Sequence, residues 1–147
     1  MTNTSGKKAG RHFFFFSIVL AVVVLDQLTK FWARSSPSVD LSILKLSFVA
    51  NTGAAFGLFK NSSLFLAVFG LAVVGLLVYL YPRVPGDKFQ LLSFALIFGG
   101  TVGNLIDRFF FGFVTDFIDF GFWPVFNIAD SALTVGVIIL ILCLSRK

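Results

Sequence analysis

The sequence predicts an all-α membrane protein with four transmembrane helices and a small β element outside them. Three observations lead to this fold class. Hydrophobic residues make up 57% of the 147 residues, against roughly 45–50% in a soluble domain. Charged residues make up only 13%, about half the usual share. Four apolar stretches are each long enough to cross a bilayer, which takes about 20 helical residues.

The apolar stretches cover residues 13–33, 62–81, 89–106 and 126–145. The first contains Asp26 and Lys30, the last contains Asp130, and the middle two carry no charge. Basic residues precede the first stretch, as in a signal peptide, but it runs on to Trp32 and Arg34 without a small-x-small cleavage site. We therefore expect a retained first helix and one integral-membrane domain over residues 1–147.

Composition also excludes several classes of function. Disordered proteins and proteins that coat nucleic acid need far more charge, so we expect no nucleic-acid partner. Cys143 and His12 are the only cysteine and histidine. A Cys–His pair, a Ser–His–Asp triad or a histidine zinc site would each have to use that one histidine, which precedes the first apolar stretch. The chemistry is therefore left to carboxylate, amide, hydroxyl, Lys and Arg groups.

The distribution of charge predicts the orientation in the membrane. With four spans, both termini lie on one side, and that side carries seven basic residues against five on the other. The seven are Lys7, Lys8, Arg11, Arg83, Lys88, Arg146 and Lys147, and the five are Lys30, Arg34, Lys45, Lys60 and Arg108. All seven acidic residues are Asp, and six of them lie toward the side with fewer basic residues. We expect cytoplasmic termini and a site that uses carboxylates on the outer face.

The segments between the helices also carry patterns. Residues 39–49 alternate partly between apolar and polar side chains, which predicts one or two short strands. Residues 109–125 contain seven Phe and one Trp around two Asp, which predicts a segment lying in the membrane interface. The connection over residues 82–88 is short, so helices two and three should be adjacent and antiparallel.

Two features of the first and third helices have structural explanations. Asp26 and Lys30 are four residues apart and share a helical face, where they can pair. We favour a structural ion pair with Lys30 reaching outward to the interface, and the alternative is that the pair orients the polar groups of a site. Gly99 and Gly103 have the spacing that allows close helix–helix contact in lipid.

The end of the third helix carries Asn104, Asp107 and Arg108. Arg108 is either an anchor in the membrane interface or a group that holds an anionic or carbonyl-rich ligand. Its polar neighbours favour the second alternative.

Asp130 is the leading candidate for a functional acid. Asn127 and Asp130 suit the N-cap and the third residue of a helix, so capping alone explains both. However, Asp130 lies about 4.5 Å inside an apolar helix, and an acid within the membrane is a functional candidate by default. Asp116 and Asp119 precede it closely, and at least one of them can approach it.

Two close carboxylates in a poorly hydrated site tend to share one proton. One then acts as a base on water and the other as an acid toward a peptide carbonyl, as in aspartic peptidases. Proton relays in membranes also use paired acids, so spacing alone leaves a small proton-coupled transporter open. A membrane scaffold that uses its ion pairs for assembly is a third hypothesis.

Five segments, in this order, resemble the lipoprotein signal peptidases, also called signal peptidase II. They are DQLTK at 26–30, NTGAAFG at 51–57, GGTVGNLIDR at 99–108, VTDFIDF at 114–120 and FNIADSA at 126–132. The resemblance spans nearly the whole chain, and the last three segments are the most specific.

The resemblance implies a bacterial aspartyl endopeptidase of the cytoplasmic membrane with four helices and a small extracytoplasmic β-cradle. It would cut the signal peptide from prolipoproteins just before the diacylglyceryl-modified cysteine, without a metal or an organic cofactor. Its partners would be these substrates and membrane lipid, and we expect a monomer.

The resemblance also assigns residues. Asp116 and Asp130 match the catalytic aspartates, whereas Asp119 and Asp40 stay unassigned. The residues that match its binding or supporting positions are Asn51, Asn104, Arg108, Asn127, Asp26 and Lys30, and we add Asp107 as a supporting residue.

Overall fold

A computed structural model describes residues 4–54, 58–59, 61–84 and 87–145. The helices are α1 (Thr4–Ser35), α2 (Ser63–Leu80), α3 (Lys88–Phe111) and α4 (Ile128–Ser145), and the strands are β1 (Val39–Asp40), β2 (Lys45–Asn51) and β3 (Val114–Asp119). Each helix is long and apolar enough to cross a membrane. Ala55, Phe56 and Gly57 of the second motif, and the charged residues Lys60, Arg146 and Lys147, lie outside the described residues, as does the side chain of Lys7.

Helix α1 starts earlier than its apolar stretch predicts, at Thr4 rather than at residue 13. The additional helical turns before residue 13 contact Tyr81, the residue that directly follows α2. Arg11 donates to the backbone oxygen of Tyr81, and its guanidinium lies over the Tyr81 ring. His12 shares a hydrogen bond with the Tyr81 hydroxyl at 2.7 Å. The helix ends at Ser35 because Pro37 disfavours helical geometry at the residue before it.

Helix α3 is the centre of the bundle and contacts each of the other three helices. Small residues make the closest contacts possible. A Cβ added to Gly99 would lie 2.9 Å from Val22 of α1, and one added to Gly100 would lie 2.5 Å from the backbone oxygen of Ala129 in α4. The predicted close contact at Gly99 and Gly103 is confirmed, with α1 as the partner. The neighbouring contact at Gly100 was not predicted.

The predicted interface segment over residues 109–125 begins within α3 and continues into a strand. Residues 109–111 complete α3, which ends at Gly112 with a left-handed φ of 77°. Residues 114–119 form β3, which pairs antiparallel with β2. Residues 109–125 are therefore divided between the end of α3, β3 and the residues that follow, and their location in the membrane interface stays a prediction.

The β element is a three-stranded antiparallel sheet in the order β1–β2–β3, so the predicted strands are confirmed. Val49 of β2 faces Asp116 of β3. Because side chains alternate along a strand, Asn51 lies on the same face as Val49. The register therefore places Asn51 beside Asp116.

Candidate active site

A cavity of about 660 Å³ opens between the sheet, the end of α3 and the start of α4. Its polar wall includes the predicted site residues Asn51, Asn104, Arg108, Asp116 and Asp130, together with Ser131 and Thr134. Its apolar wall includes Val114, Trp123, Val125, Phe126, Leu133 and Val135. Two carboxylates therefore face a space that is otherwise largely hydrophobic.

Asp116 is placed by β3 and is 2% exposed. Its Oδ2 accepts a hydrogen bond from Asn51 Nδ2 at 2.8 Å, and its Oδ1 accepts one from Asn127 Nδ2 at 2.7 Å. Each carboxylate oxygen thus has one fixed amide donor, which holds the carboxylate in one orientation.

Asp130 is placed by the first turn of α4. Its backbone N–H donates to Asn127 Oδ1 at 2.9 Å, and its Oδ2 accepts from the Asn127 backbone N–H at 3.2 Å. This reciprocal pattern is a capping box, so the predicted capping role of both residues is confirmed. The remaining oxygen, Oδ1, accepts from Asn104 Nδ2 at 2.8 Å. Asp130 therefore caps α4 and also lines the cavity.

Asn127 connects the two carboxylates. It is fully buried, and its amide group donates to Asp116 and accepts from the backbone of Asp130. The same Nδ2 also lies 3.1 Å from Asn104 Oδ1. A flipped amide would lose both the bond to the Asp116 carboxylate and the bond from the Asp130 backbone N–H, so Asn127 fixes the two residues relative to each other.

The environment of Asp116 favours its protonated form. Burial and, second, the nearby charge of Asp130 raise the pKa of Asp116 to about 7. The hydrogen bonds from Asn51 and Asn127 oppose this rise. The protonated form of Asp116 is therefore accessible near neutral pH, which suits an acid that exchanges a proton with a second carboxylate.

A buried charge network lies behind the cavity. Lys30 Nζ lies 2.8 Å from Asp26 Oδ2 and 3.6 Å from Asp107 Oδ2, and all three side chains are fully buried. The expectation that Lys30 reaches outward to the interface is wrong. It points inward because Asp26, Asp107 and the Asn104 amide oxygen, at 2.9 Å, together compensate its charge.

The network also joins α1 to the start of α4. Asp26 Oδ1 accepts from the backbone N–H of Ala129 at 2.9 Å. A Cβ on Gly103 would lie 2.6 Å from Asp26 Oδ2, so the absence of a side chain there makes room for the carboxylate. The Asp26–Lys30 pair thus orients neighbouring polar groups, which was the second of the two interpretations.

Arg108 is part-buried in the cavity wall. Its Nη2 donates to the backbone oxygen of Gly53 at 3.3 Å, and its buried Nε has no hydrogen-bond partner among the described residues. This position fits a group that faces a ligand better than an anchor in the membrane interface.

The chain matches the family model described as "Signal peptidase (SPase) II" over residues 18–146, which include all nine predicted site residues. The chain belongs to the signal peptidase II family.

Curated members of the family are similar along most of their length. The lipoprotein signal peptidase of Syntrophomonas wolfei is 45% identical over 134 residues, which cover 87% of this chain and 90% of the relative. The enzyme of Caldanaerobacter subterraneus is also 45% identical, over 130 residues, with 84% and 90% covered.

Solved structures agree in fold. One, described as a bacterial membrane enzyme at 2.3 Å resolution, superposes with a TM-score of 0.83 at 34% identity and covers 90% of this chain and 87% of its own. A second, at 1.9 Å, has a TM-score of 0.79 at the same identity, with 88% and 91% covered. The resemblance and the fold class are thereby confirmed. The chain is a multi-pass bacterial membrane protein and an aspartic-type signal peptidase, and the transporter alternative is not supported.

Three residues of this peptidase's polar network were not predicted from the sequence, namely Gln27, Arg34 and Thr115. Arg34 Nη1 lies 3.7 Å from Asp107 Oδ2 and donates to Thr115 Oγ1 at 2.7 Å. The Thr115 backbone N–H donates to Asp107 at 2.8 Å, and Gln27 Nε2 donates to Asp26 at 3.1 Å. The sequence could have indicated Arg34, because this residue follows Lys30 by one helical turn and lies on the same face of α1.

The unassigned acids Asp40 and Asp119 are the last residues of β1 and β3, and each stabilises the turn that follows its strand. Asp40 accepts from the backbone N–H of Ser42 at 2.9 Å, and Asp119 accepts from that of Gly121 at 2.7 Å. Such bonds stabilise tight turns. Within the described part of the chain, no three His, Cys, Asp or Glu side chains group closely enough to hold a metal ion.

Proposed function

We propose that Asp116 and Asp130 are the catalytic pair with which this peptidase removes signal peptides from prolipoproteins, cutting just before the diacylglyceryl-modified cysteine. The main support is that both carboxylates line one cavity and accept hydrogen bonds from the same residue, Asn127, through its side-chain amide at Asp116 and its backbone N–H at Asp130. The name of the relatives, lipoprotein signal peptidase, supports the substrate class.

The chemistry follows from one proton shared by two carboxylates. The ionised carboxylate removes a proton from water, and the water oxygen adds to the scissile carbonyl carbon. The protonated carboxylate gives its proton to the carbonyl oxygen. The tetrahedral intermediate then collapses: one of its hydroxyls gives its proton to the ionised carboxylate, the C–N bond breaks, and the leaving amine takes the proton of the other carboxylate. The carboxylates return to the state with one shared proton.

The amides and Arg108 have supporting roles in this proposal. Asn51 and Asn104 donate to Asp116 and Asp130, so they orient the acids that touch the reacting atoms. Arg108 faces the same cavity and holds carbonyl oxygens of the substrate strand, since its Nε has an unused donor. Asp26, Lys30 and Asp107 act through Asn104 and the start of α4 as positioning residues.

The lipid of the substrate occupies the apolar part of the site. Leu133 and Val135 of α4 line the cavity, and exposed apolar side chains cover α2 and α4 beyond it. The diacylglyceryl chains therefore stay among helices α2 to α4, in contact with membrane lipid, while the peptide lies across the carboxylates.

The proposed orientation has cytoplasmic termini and an extracytoplasmic active site in the bacterial cytoplasmic membrane. Three of the five basic residues on the outer side, Lys30, Arg34 and Arg108, are engaged in the polar network or the cavity. This leaves Lys45 and Lys60 there. On the other side Arg11 and Arg83 are likewise engaged, with Tyr81 and Tyr79, which leaves five basic residues. The bias toward cytoplasmic termini is therefore larger than simple counting gives. The chain acts as a monomer and as one domain over residues 1–147.

A cleavage assay with two matched substrates tests the substrate assignment. The purified full-length peptidase is incubated with a prolipoprotein peptide that carries the diacylglyceryl group and with the same peptide lacking it. Mass spectrometry of the products should find one cut, directly before the modified cysteine, in the lipidated peptide only. Equal cleavage of both peptides, or a cut elsewhere, would contradict the proposal. Reporter fusions to the C-terminus test the orientation, because a reporter active only outside the cytoplasm should stay inactive.

A further inference from the structure

We propose that the end of the bundle opposite Asp116 and Asp130 binds one anionic phospholipid with a headgroup hydroxyl. An acyl-chain segment would lie between α2, α3 and α4, and the headgroup would lie between Arg83 and Gln90. This site is separate from the catalytic cavity, because no residue lines both spaces.

The apolar part of the site is a second cavity of about 160 Å³. Its walls come from the end of α2, the start of α3 and the end of α4, and they are formed by Leu80, Val84, Phe94, Leu140 and Leu144. Apolar cavities of roughly 150 Å³ hold a hydrocarbon such as benzene and exclude water. This space therefore suits a short length of acyl chain.

Gln90 supplies the polar group of the cavity. The residue is 8% exposed, and its amide oxygen Oε1 is buried without a hydrogen-bond partner among the described residues. Its backbone N–H is already used by the Asp87 carboxylate at 3.0 Å. An unpaired buried carbonyl oxygen is unfavourable, and a hydroxyl donor at the cavity mouth would satisfy it.

The charges around the cavity favour a phosphate. Arg83 lines it, with the guanidinium stacked 4.1 Å from the Tyr79 ring centroid and Nη1 donating to the Tyr79 backbone oxygen. Arg11 of α1 adds a second positive charge at this end of the bundle, where it lies over the Tyr81 ring. Asp87 is the only acidic residue at this end of the described chain, and its carboxylate caps α3. Basic pockets between transmembrane helices bind anionic headgroups, whereas the ammonium group of a zwitterionic lipid would be repelled.

Native mass spectrometry of the delipidated, full-length protein in detergent tests the site with three lipids of equal chain length. Phosphatidylglycerol supplies charge and hydroxyl, phosphatidylmethanol supplies charge without the hydroxyl, and phosphatidylethanolamine is zwitterionic. We expect bound lipid to decrease in that order by about fivefold a step, the factor for one basic side chain or one hydrogen bond. Glycerol phosphate without chains should not compete.

Variants separate the three parts of the site. Arg83→Gln should remove the preference for anionic lipids, Gln90→Leu should remove the preference for the hydroxyl, and Leu140→Trp should abolish binding by filling the cavity. Lys45→Gln removes a positive charge from the sheet at the other end and should change nothing. If Leu140→Trp does not fold, Leu140→Phe gives the same test.

Three outcomes would overturn the proposal. They are equal binding of the three lipids, adducts that persist in a folded cavity-filling variant, and a loss in Lys45→Gln as large as in Arg83→Gln. Competition by glycerol phosphate alone would equally contradict the role of the acyl chain.

Discussion

The ammonium group of Lys30 donates to the amide oxygen of Asn104 at 2.9 Å, at the back of the carboxylate pair. Because the oxygen of Asn104 is held there, its Nδ2 must face Asp130, where it donates at 2.8 Å. A cation without exposure to solvent thus determines which way a neutral amide presents its donor to an acid. The buried charges of α1 act on the site through this contact.

Removing Lys30 alone should lower the free energy of unfolding more than removing both charges of the Asp26–Lys30 pair. Lys30→Met leaves the buried Asp26 carboxylate without its closest cation, and breaking a buried pair costs about 3–5 kcal/mol. The double variant Asp26→Asn/Lys30→Met removes both charges and should recover much of that stability. Thermal unfolding in detergent measures the comparison. A double variant as unstable as Lys30→Met would contradict the assigned role of Asp26.

The tight contact between α3 and α4 predicts the effect of one added methyl group. Gly100→Ala places a Cβ 2.5 Å from the Ala129 backbone oxygen, and such overpacking costs about 1–3 kcal/mol. Gly75→Ala meets nothing within 4 Å and should leave stability unchanged or raise it by up to about 1 kcal/mol. Thermal unfolding of the two variants decides this, and equal midpoints would rule out the close helix contact.

Cleavage should decrease as pH rises above neutral. The reaction needs one proton on the carboxylate pair, and the pKa of Asp116 is raised to about 7 by burial and by Asp130. Since Asp116 loses its proton as the pH rises through that value, activity should be lower above pH 7 than just below it. It should decrease about tenfold per pH unit well above pH 7. The initial rate against pH, with a lipidated peptide at a low concentration, measures this. A rate that stays flat to pH 9 would contradict it.

The donor from Asn51 should control where that decrease begins. Its hydrogen bond to Asp116 favours the ionised form and lowers the pKa. Asn51→Ala should therefore raise the pKa of Asp116 and move the alkaline decrease to higher pH. Thr52→Ala, at the next residue, alters a contact with Asn61 instead and should leave the pH profile unchanged. A shift to lower pH in Asn51→Ala would have the wrong sign for this hydrogen bond.

Composition and helical periodicity predicted the four spans and the polar ends of α1, α3 and α4, because each of these is a local property of the chain. The start of α1 was not predictable in this way, since the contacts of Arg11 and His12 with Tyr81 join residues about seventy positions apart. The direction of Lys30 was likewise decided by tertiary contacts with Asp107 and Asn104.

Spacing left open which of Asp116 and Asp119 approaches Asp130. The pairing of β2 with β3 shows which of the two side chains lies in the cavity wall. Asp116 faces Val49 and lies beside Asn51 in the cavity wall, whereas Asp119 is three residues further along the strand and closes a turn at Gly121. Residues that are three apart in a strand point to opposite faces, and the periodicity did not reveal that this segment is a strand.

Cleavage of a lipidated prolipoprotein peptide by three matched Asp→Asn variants tests the central claim most directly. Asp116→Asn and Asp130→Asn each remove one carboxylate while preserving shape. We predict that their turnover falls by at least about 10³-fold, the loss typical of removing a member of a catalytic unit. Asp119→Asn on the same strand should cleave at nearly the rate of the unmodified protein. All three should unfold cooperatively, as a folded membrane protein does. Near-normal turnover by either Asp116→Asn or Asp130→Asn would contradict the proposed pair.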